Sequence, residues 1–236
     1  MTYTPGIDVS AWQDLNSTPQ KIDWQKAKAQ GVKFAFIRAC NGLIPDEDFT
    51  YNWQAAKDAG ILRGAYQFYD YRKSPTEQAK YLAGLLEKDK GELPPVNDLE
   101  YYEPWGAIKR NNILTNLEVY FDTLKAQGHP RAIFYSNPAM ILYTLMPVPA
   151  WLSSIPLWIA HYGVDHPSST AVAPWGKWTF WQYSSTGDGL AYGMESRGLD
   201  MDWFNGTEDE LRAFANQGNP VPYVTDAEKL ARLWKA

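Results

Sequence analysis

The chain has 236 residues, 45% apolar and 21% charged, enough for a sizeable core in one barrel-sized domain or two small ones. A net charge of -5 without any basic run excludes a nucleic-acid surface, and a single cysteine, Cys40, excludes an intrachain disulfide. No apolar run approaches the ~20 residues of a membrane span, so membrane insertion is not expected, and residues 1–5 lack the basic and apolar parts of a secretory signal.

In chain order, residues 6–10 read as a short apolar strand ending in polar residues, and Asp23 caps a helix that stops at Gly31. Residues 34–40 are a second strand, a helix from about Asp48 ends at Gly60, and residues 63–69 are a third strand. Ser74-Pro75-Thr76-Glu77 reads as a capping box opening a helix to about Asp89. The fourth strand, residues 93–100, enters through Pro94 and Pro95 and leaves with Asp98 and Glu100. A long helix follows from about Ile108 to Gly128, then a fifth strand at residues 132–136 and a short helical stretch from Asn137.

Up to this point strand and helix alternate at intervals that suit βαβ crossovers. The rhythm then changes: residues 156–162, 177–184 and 198–203 are strand-like, closer together, and separated by loops without helical period. Five β/α units and three strands make eight, enough to close a barrel, with residues 207–214 as a capped sealing helix. The fold expected is therefore α/β, a distorted TIM-like (β/α)5(β)3 barrel over residues 1–216. Residues 217–236 read as a linker and a short helical tail, either docked on the barrel or the start of a further domain.

The fourth strand carries the chemistry. Side chains alternate along a strand, so Asp98 and Glu100 share one side, where two like charges push one pKa upward. Such a pair suits glycoside cleavage; alternatively, it is a strand end whose acids meet solvent or cap the next helix. At the strand ends of a β/α barrel, where active sites form, Asp8 of strand one and Asp200 and Asp202 of strand eight join them. Strands one and eight are neighbours in a closed barrel, so four carboxylates, Asp8, Asp98, Glu100 and Asp200, converge on one pocket. The 11 Trp and 15 Tyr are mostly core, yet amphipathic rings also suit a groove for pyranose faces. Tyr66, Phe68, Tyr135, Trp158 and Tyr162 lie on strands near the proposed mouth and are the candidate substrate contacts, with Tyr135 and Tyr162 favoured. Arg38, within an apolar strand, needs a carboxylate partner and is expected to pair inside the pocket. Cys40 reads as an inert core thiol, and parity turns His161 away from the acids.

Several motifs in register carry a resemblance: Gly6-Ile7-Asp8-Val9-Ser10, Phe36-Ile37-Arg38-Ala39, Gly64-Ala65-Tyr66-Gln67-Phe68, Pro94 to Glu100, Tyr135-Ser136-Asn137, Leu157 to Tyr162, Trp181-Gln182-Tyr183-Ser184 and the aspartate strand at Asp200. With them the chain resembles the glycoside hydrolase family 25 muramidases, bacterial and phage lysozymes that cleave peptidoglycan. That resemblance implies hydrolysis of the β-1,4 bond between N-acetylmuramic acid and N-acetylglucosamine, without cofactor or metal. It implies Glu100 as general acid and base, and Asp98 as the group stabilising the 2-acetamido group or the charge at the anomeric carbon. Asp8 and Asp200 would be supporting acids and Asp202, where the family often has Asn, a lesser one. Glu100 is expected to hold its proton at neutral pH while Asp98 stays ionised. The partner implied is bacterial peptidoglycan, met by a monomer with or without a C-terminal wall-binding domain. The missing signal suits both an endolysin released from the host cytoplasm by a holin and a secreted enzyme whose signal is gone. One departure stands out: Ala39-Cys40-Asn41-Gly42 replaces the family's Ala-Thr-Glu-Gly, so a carboxylate is missing. Two other readings stay open, a metal-dependent carboxylate-cluster hydrolase and a catalytically silent wall-binding barrel. Trp105 is a further candidate for the groove, and the sequons at Asn16 and Asn205 read as chance.

Overall fold

The computed structural model describes residues 2–14, 21–103, 106 and 109–217; Trp105, the Asn16 sequon and the expected tail helix lie outside them. Nine strands form one sheet: β1 (Thr4–Val9), β2 (Phe34–Asn41), β3 (Ile44–Pro45), β4 (Leu62–Phe68), β5 (Val96–Asp98), β6 (Ile133–Ser136), β7 (Leu157–Ala160), β8 (Phe180–Asp188) and β9 (Gly198–Phe204). Their order, β1-β9-β8-β7-β6-β5-β4-β2-β3 with β1 also paired to β2, closes eight strands into a barrel and leaves β3 as a hairpin arm on β2.

Helices α1 (Trp24–Ala29), α2 (Phe49–Asp58), α3 (Pro75–Leu85) and α4 (Arg110–Ala126) follow the first four barrel strands, and the short turns α5 (Pro138–Met140) and α6 (Ala150–Ser153) follow β6. No helix separates β7, β8 and β9, which is the change of rhythm read from the spacing. Asp23 caps α1 through the Lys26 amide, and Thr207 and Glu210 close a reciprocal capping box on α7 (Glu208–Asn216). One expected cap differs: Ser74 caps the Glu77 amide without the reciprocal bond.

The fourth strand is shorter than its apolar run. Prolines 94 and 95 donate no hydrogen bond, so ladder pairing starts at Val96 and stops at Asp98, leaving Glu100 just beyond the strand. The larger correction is directional. All neighbouring pairs from β1–β2 round to β7–β8 are parallel, but β9 is antiparallel to both β8 and β1. A tight β8–β9 connection has no helix to carry the chain back, so β9 must run the other way. Its acids therefore reach the mouth from the strand's beginning, not its end.

Two cores flank the sheet. Inside the barrel, Phe34, Phe36, Trp158, Phe180 and Phe204 form an aromatic plug, with Phe36 stacked on Trp158 at 4.3 Å. The rings fit because β4 gives way: a Cβ at Gly64 would sit 2.6 Å from the Phe36 ring. Helix α7 seals one end, setting Leu211, Phe214 and Ala215 against Phe180 and Phe204. Outside the barrel, the opposite strand faces meet the helices through Ile7, Ile37, Leu99, Leu117 and Ile159. With one end plugged and the wall covered, the open end opposite α7 is left for a ligand.

Candidate active site

Period-two alternation aims each functional side chain. On β2, Phe34 and Phe36 point inward and Arg38 follows them; on β4, Gly64 leads to Tyr66 and Phe68; on β5, Val96 leads to Asp98. On the β1–β9 pair, Asp8 lies directly opposite Asp200 and Gly6 opposite Asp202. The result is a cavity of about 450 Å³ at the barrel mouth. Asp8, Asp98, Glu100 and Asp200 all line it, as do Arg38, Tyr66, Phe68, Tyr135, Trp158 and Tyr162. Asp202 does not: two residues deeper on a strand that runs away from the mouth, it is fully buried, accepts a bond from Trp158 Nε1 at 2.8 Å and contacts Asp8.

Burial dominates the electrostatics. Asp98 and Glu100 line the same cavity close enough for each to perturb the other. Burial, then the Glu100 charge, raises Asp98 well above the ordinary carboxylate value, and Arg38 opposes the shift. Glu100 is raised by burial and the Asp200 charge. Both carboxyls are thus pushed toward holding a proton, and Asp98 is the deeper of the two. Asp8 and Asp202 form a second carboxyl pair, both raised well above the ordinary range by burial, with Asp200 and Asp202 pushing Asp8 further. Burial lifts Asp200, between the two pairs, to about 6.

One organiser was not singled out from the sequence. Gln182 on β8 donates from Nε2 to Asp8 Oδ2 at 2.6 Å, while its Oε1 accepts the hydroxyls of Tyr135, at 2.8 Å, and Tyr162. It ties β1, β6 and β7 to one side chain. The available signal was parity: Gln182 follows the inward Phe180 by two. Trp12 was missed as well. It sits at the rim, 76% exposed, in the turn that Ser10 caps after β1. Tyr162 faces it from β7's side of the mouth and is 47% exposed.

Arg38 departs from expectation. Its partner is Asp46, at 2.7 Å from Nε, and not one of the pocket acids. The β2–β3 hairpin folds Asp46 back, its amide bonded to Ala39 O, so that the carboxylate arrives from outside the pocket. Asn41, at the family's glutamate position, lines a neighbouring groove instead of the acid cavity, so the departure leaves the four acids in place. Cys40 is buried, its thiol pushed up to about 12, and His161 lies outside the cavity lining. Among the described residues no three His, Cys, Asp or Glu side chains are placed to hold a metal ion.

What these groups can do is hold one acidic proton, under a low local dielectric, beside anionic partners that favour a developing positive charge. Comparison with known proteins points the same way. The model for glycosyl hydrolases family 25 matches residues 7–190. Lysozyme M1 of Streptomyces globisporus is 34% identical, over 89% of this chain and 71% of that protein. The crystal structure of a bacterial lysozyme from Streptomyces coelicolor superposes with a TM-score of 0.76 at 31% identity, covering 92% of this chain and 98% of that one. A family 25 glycosyl hydrolase from Bacillus anthracis gives 0.74 at 26% identity, over 89% and 93% of the two chains.

Proposed function

The chain belongs to the glycosyl hydrolases of family 25, and from that membership we propose that it is an N-acetylmuramidase, hydrolysing the β-1,4 bond between N-acetylmuramic acid and N-acetylglucosamine in bacterial peptidoglycan. The observation that carries this reading is the convergence of Asp8, Asp98, Glu100 and Asp200 on one cavity at the barrel mouth.

Substrate sets the proton in its working place. A 2-acetamido N–H presented to Asp98 donates to its charged form, lowers its pKa, and so leaves the proton to Glu100. Glu100, the more exposed of the two, then protonates the glycosidic oxygen as the bond breaks, and as the resulting base it later activates water. Asp98, now anionic, steadies the acetamido group as its oxygen closes on the anomeric carbon. This substrate-assisted course needs no water between the two carboxyls, unlike an inverting pair separated by about 6.5–9.5 Å. Asp200 adds negative potential toward the developing oxocarbenium charge, and Gln182 fixes Asp8 in place on the same wall.

The acidic environment has a measurable consequence. The Asp200 charge raises Glu100, and Glu100 must stay protonated to act as acid. Asp200→Asn removes that charge and lowers the Glu100 pKa, so the alkaline limb of the kcat/KM profile moves to lower pH, by roughly half a unit to one unit. An unmoved limb would show that Asp200 and Glu100 are not coupled.

The reaction is tested by digesting a defined peptidoglycan and identifying the new ends by mass spectrometry after borohydride reduction. Muramitol at the new ends is expected. Glucosaminitol, or no new ends at all, would refute the assignment.

A further inference from the structure

Beside the acid cavity lies a second groove of about 620 Å³, and Trp12, Arg38 and Phe68 line both, so the two are continuous. Their electrostatics are opposite. The first is walled by carboxyls; the second holds Arg38, Arg72 and Lys73 against one carboxylate, Asp70. The Arg38 counter-ion, Asp46, opens on a different depression and is not part of this wall. Arg38 is paired with Asp46 and Arg72 with Asp70, so the groove keeps an excess positive charge on Lys73, flanked by two guanidinium groups, a place for an anion in a chain of net charge -5.

The cations stand on a fixed loop. Arg72 forms a bidentate pair with Asp70 at 2.8 and 2.7 Å, and Asp70 is buried. Gln78 from α3 grips the Asp70 backbone from both sides, accepting its amide at 2.9 Å and donating to its carbonyl at 3.0 Å. Lys73 closes the turn with its amide on Asp70 O. Exposed apolar side chains, Ile44 at 70% and Tyr102 at 45%, give the rest of the groove a surface for a chain with both apolar and charged groups.

Resting on the muramidase reading, we infer that this groove binds the carboxylate-bearing peptide arm carried by the muramyl lactyl group, and that Lys73, with Arg72 and Arg38, selects glycan that keeps its peptides. Sugar hydroxyls are neutral and have no use for a cationic wall, whereas free carboxylates on a peptide branching from the bound glycan can form charge-assisted hydrogen bonds with it. The acid cavity takes the uncharged saccharide and the adjoining groove takes the anionic branch, a division that keeps like charges apart.

The test compares peptide-bearing glycan, the same glycan stripped of peptides by an amidase with the exposed lactyl carboxylates then converted to amides, and glycan whose peptide carboxylates are amidated, each cut by wild type and by Lys73→Glu. Wild type should prefer the unmodified peptide-bearing strands. Lys73→Glu should lower kcat/KM on those strands by about three- to tenfold, leave stripped and amidated strands nearly unaffected, and lose its effect at high salt. Equal kcat/KM of wild type and Lys73→Glu on peptide-bearing strands, or an equal fall on all three substrates, would overturn the inference. If wild type cuts none of them, the muramidase reading fails by itself, and the groove is decided by calorimetry. A soluble disaccharide peptide should then bind Glu100→Gln more tightly than the Glu100→Gln, Lys73→Glu double variant; equal binding would again overturn the assignment.

Discussion

Replacing Glu100 with glutamine is expected to lower the rate of wall lysis by about 10²- to 10⁴-fold, the range that a positioned general acid supplies. The amide keeps the shape and hydrogen-bonding capacity of the acid but has no proton to give the leaving oxygen. Stability should not fall with activity. Burial raises Glu100, so the folded state pays for its ionisation once the pH rises past the unfolded carboxylate range. Removing that acid therefore leaves the melting temperature at pH 7 equal or higher, and the advantage should shrink as the medium is acidified. Turbidimetric lysis and calorimetric melting, measured on one preparation, separate the two effects. Lysis within a few-fold of wild type would reject Glu100 as the acid.

Arg63→Ala should be the most destabilising single change outside the site. Arg63 is fully buried beneath α2 and uses its whole guanidinium: Nη1 to Trp53 O at 2.9 Å and Asp89 at 3.0 Å, Nη2 to Glu92 at 2.8 Å, and Nε to Glu92 at 3.0 Å. The group also lies 4.4 Å above the Trp53 ring. Truncation strips two carboxylates of their partner and opens a void under a tryptophan, a cost of about 3–5 kcal/mol. For a chain of this length that lowers Tm by roughly 6–20 °C. Against a burial that would raise it, hydrogen bonds from Arg63 and Lys57 hold Asp89 well below its ordinary value. A depressed carboxylate stabilises above its unfolded pKa and loses that contribution as the pH falls, so the deficit of Arg63→Ala should be full at pH 7 and narrow in acid. Thermal melts across pH test both points, while a Tm loss of a degree or two would show the network to be ornamental.

How the site could be read from the chain differs residue by residue. Asp98 and Glu100 were legible because a period-two strand leaves little choice about which faces share a side. Asp8 and Asp200 were legible through closure alone, since the first and last strands of a barrel are neighbours whatever the direction of the last. Gln182 was hidden because a glutamine in a strand has no chemistry of its own. Its role comes from Tyr135, Tyr162 and Asp8, all at least 20 residues away in sequence. The Arg38 partner was misplaced for a similar reason: Asp46 is only eight residues on, but a two-residue strand, β3, was needed to swing it back.

By itself, then, the sequence determined the closed barrel of five β/α units and three strands, the ring of four acids at its mouth and the aromatic lining, because strand parity, helix caps and element spacing are local properties. Tertiary structure alone decided the direction of β9, the outside partner of Arg38 and the burial that raises the pocket carboxyls. Each of these depends on which groups lose water and which charges become neighbours, and both are settled only when distant segments pack.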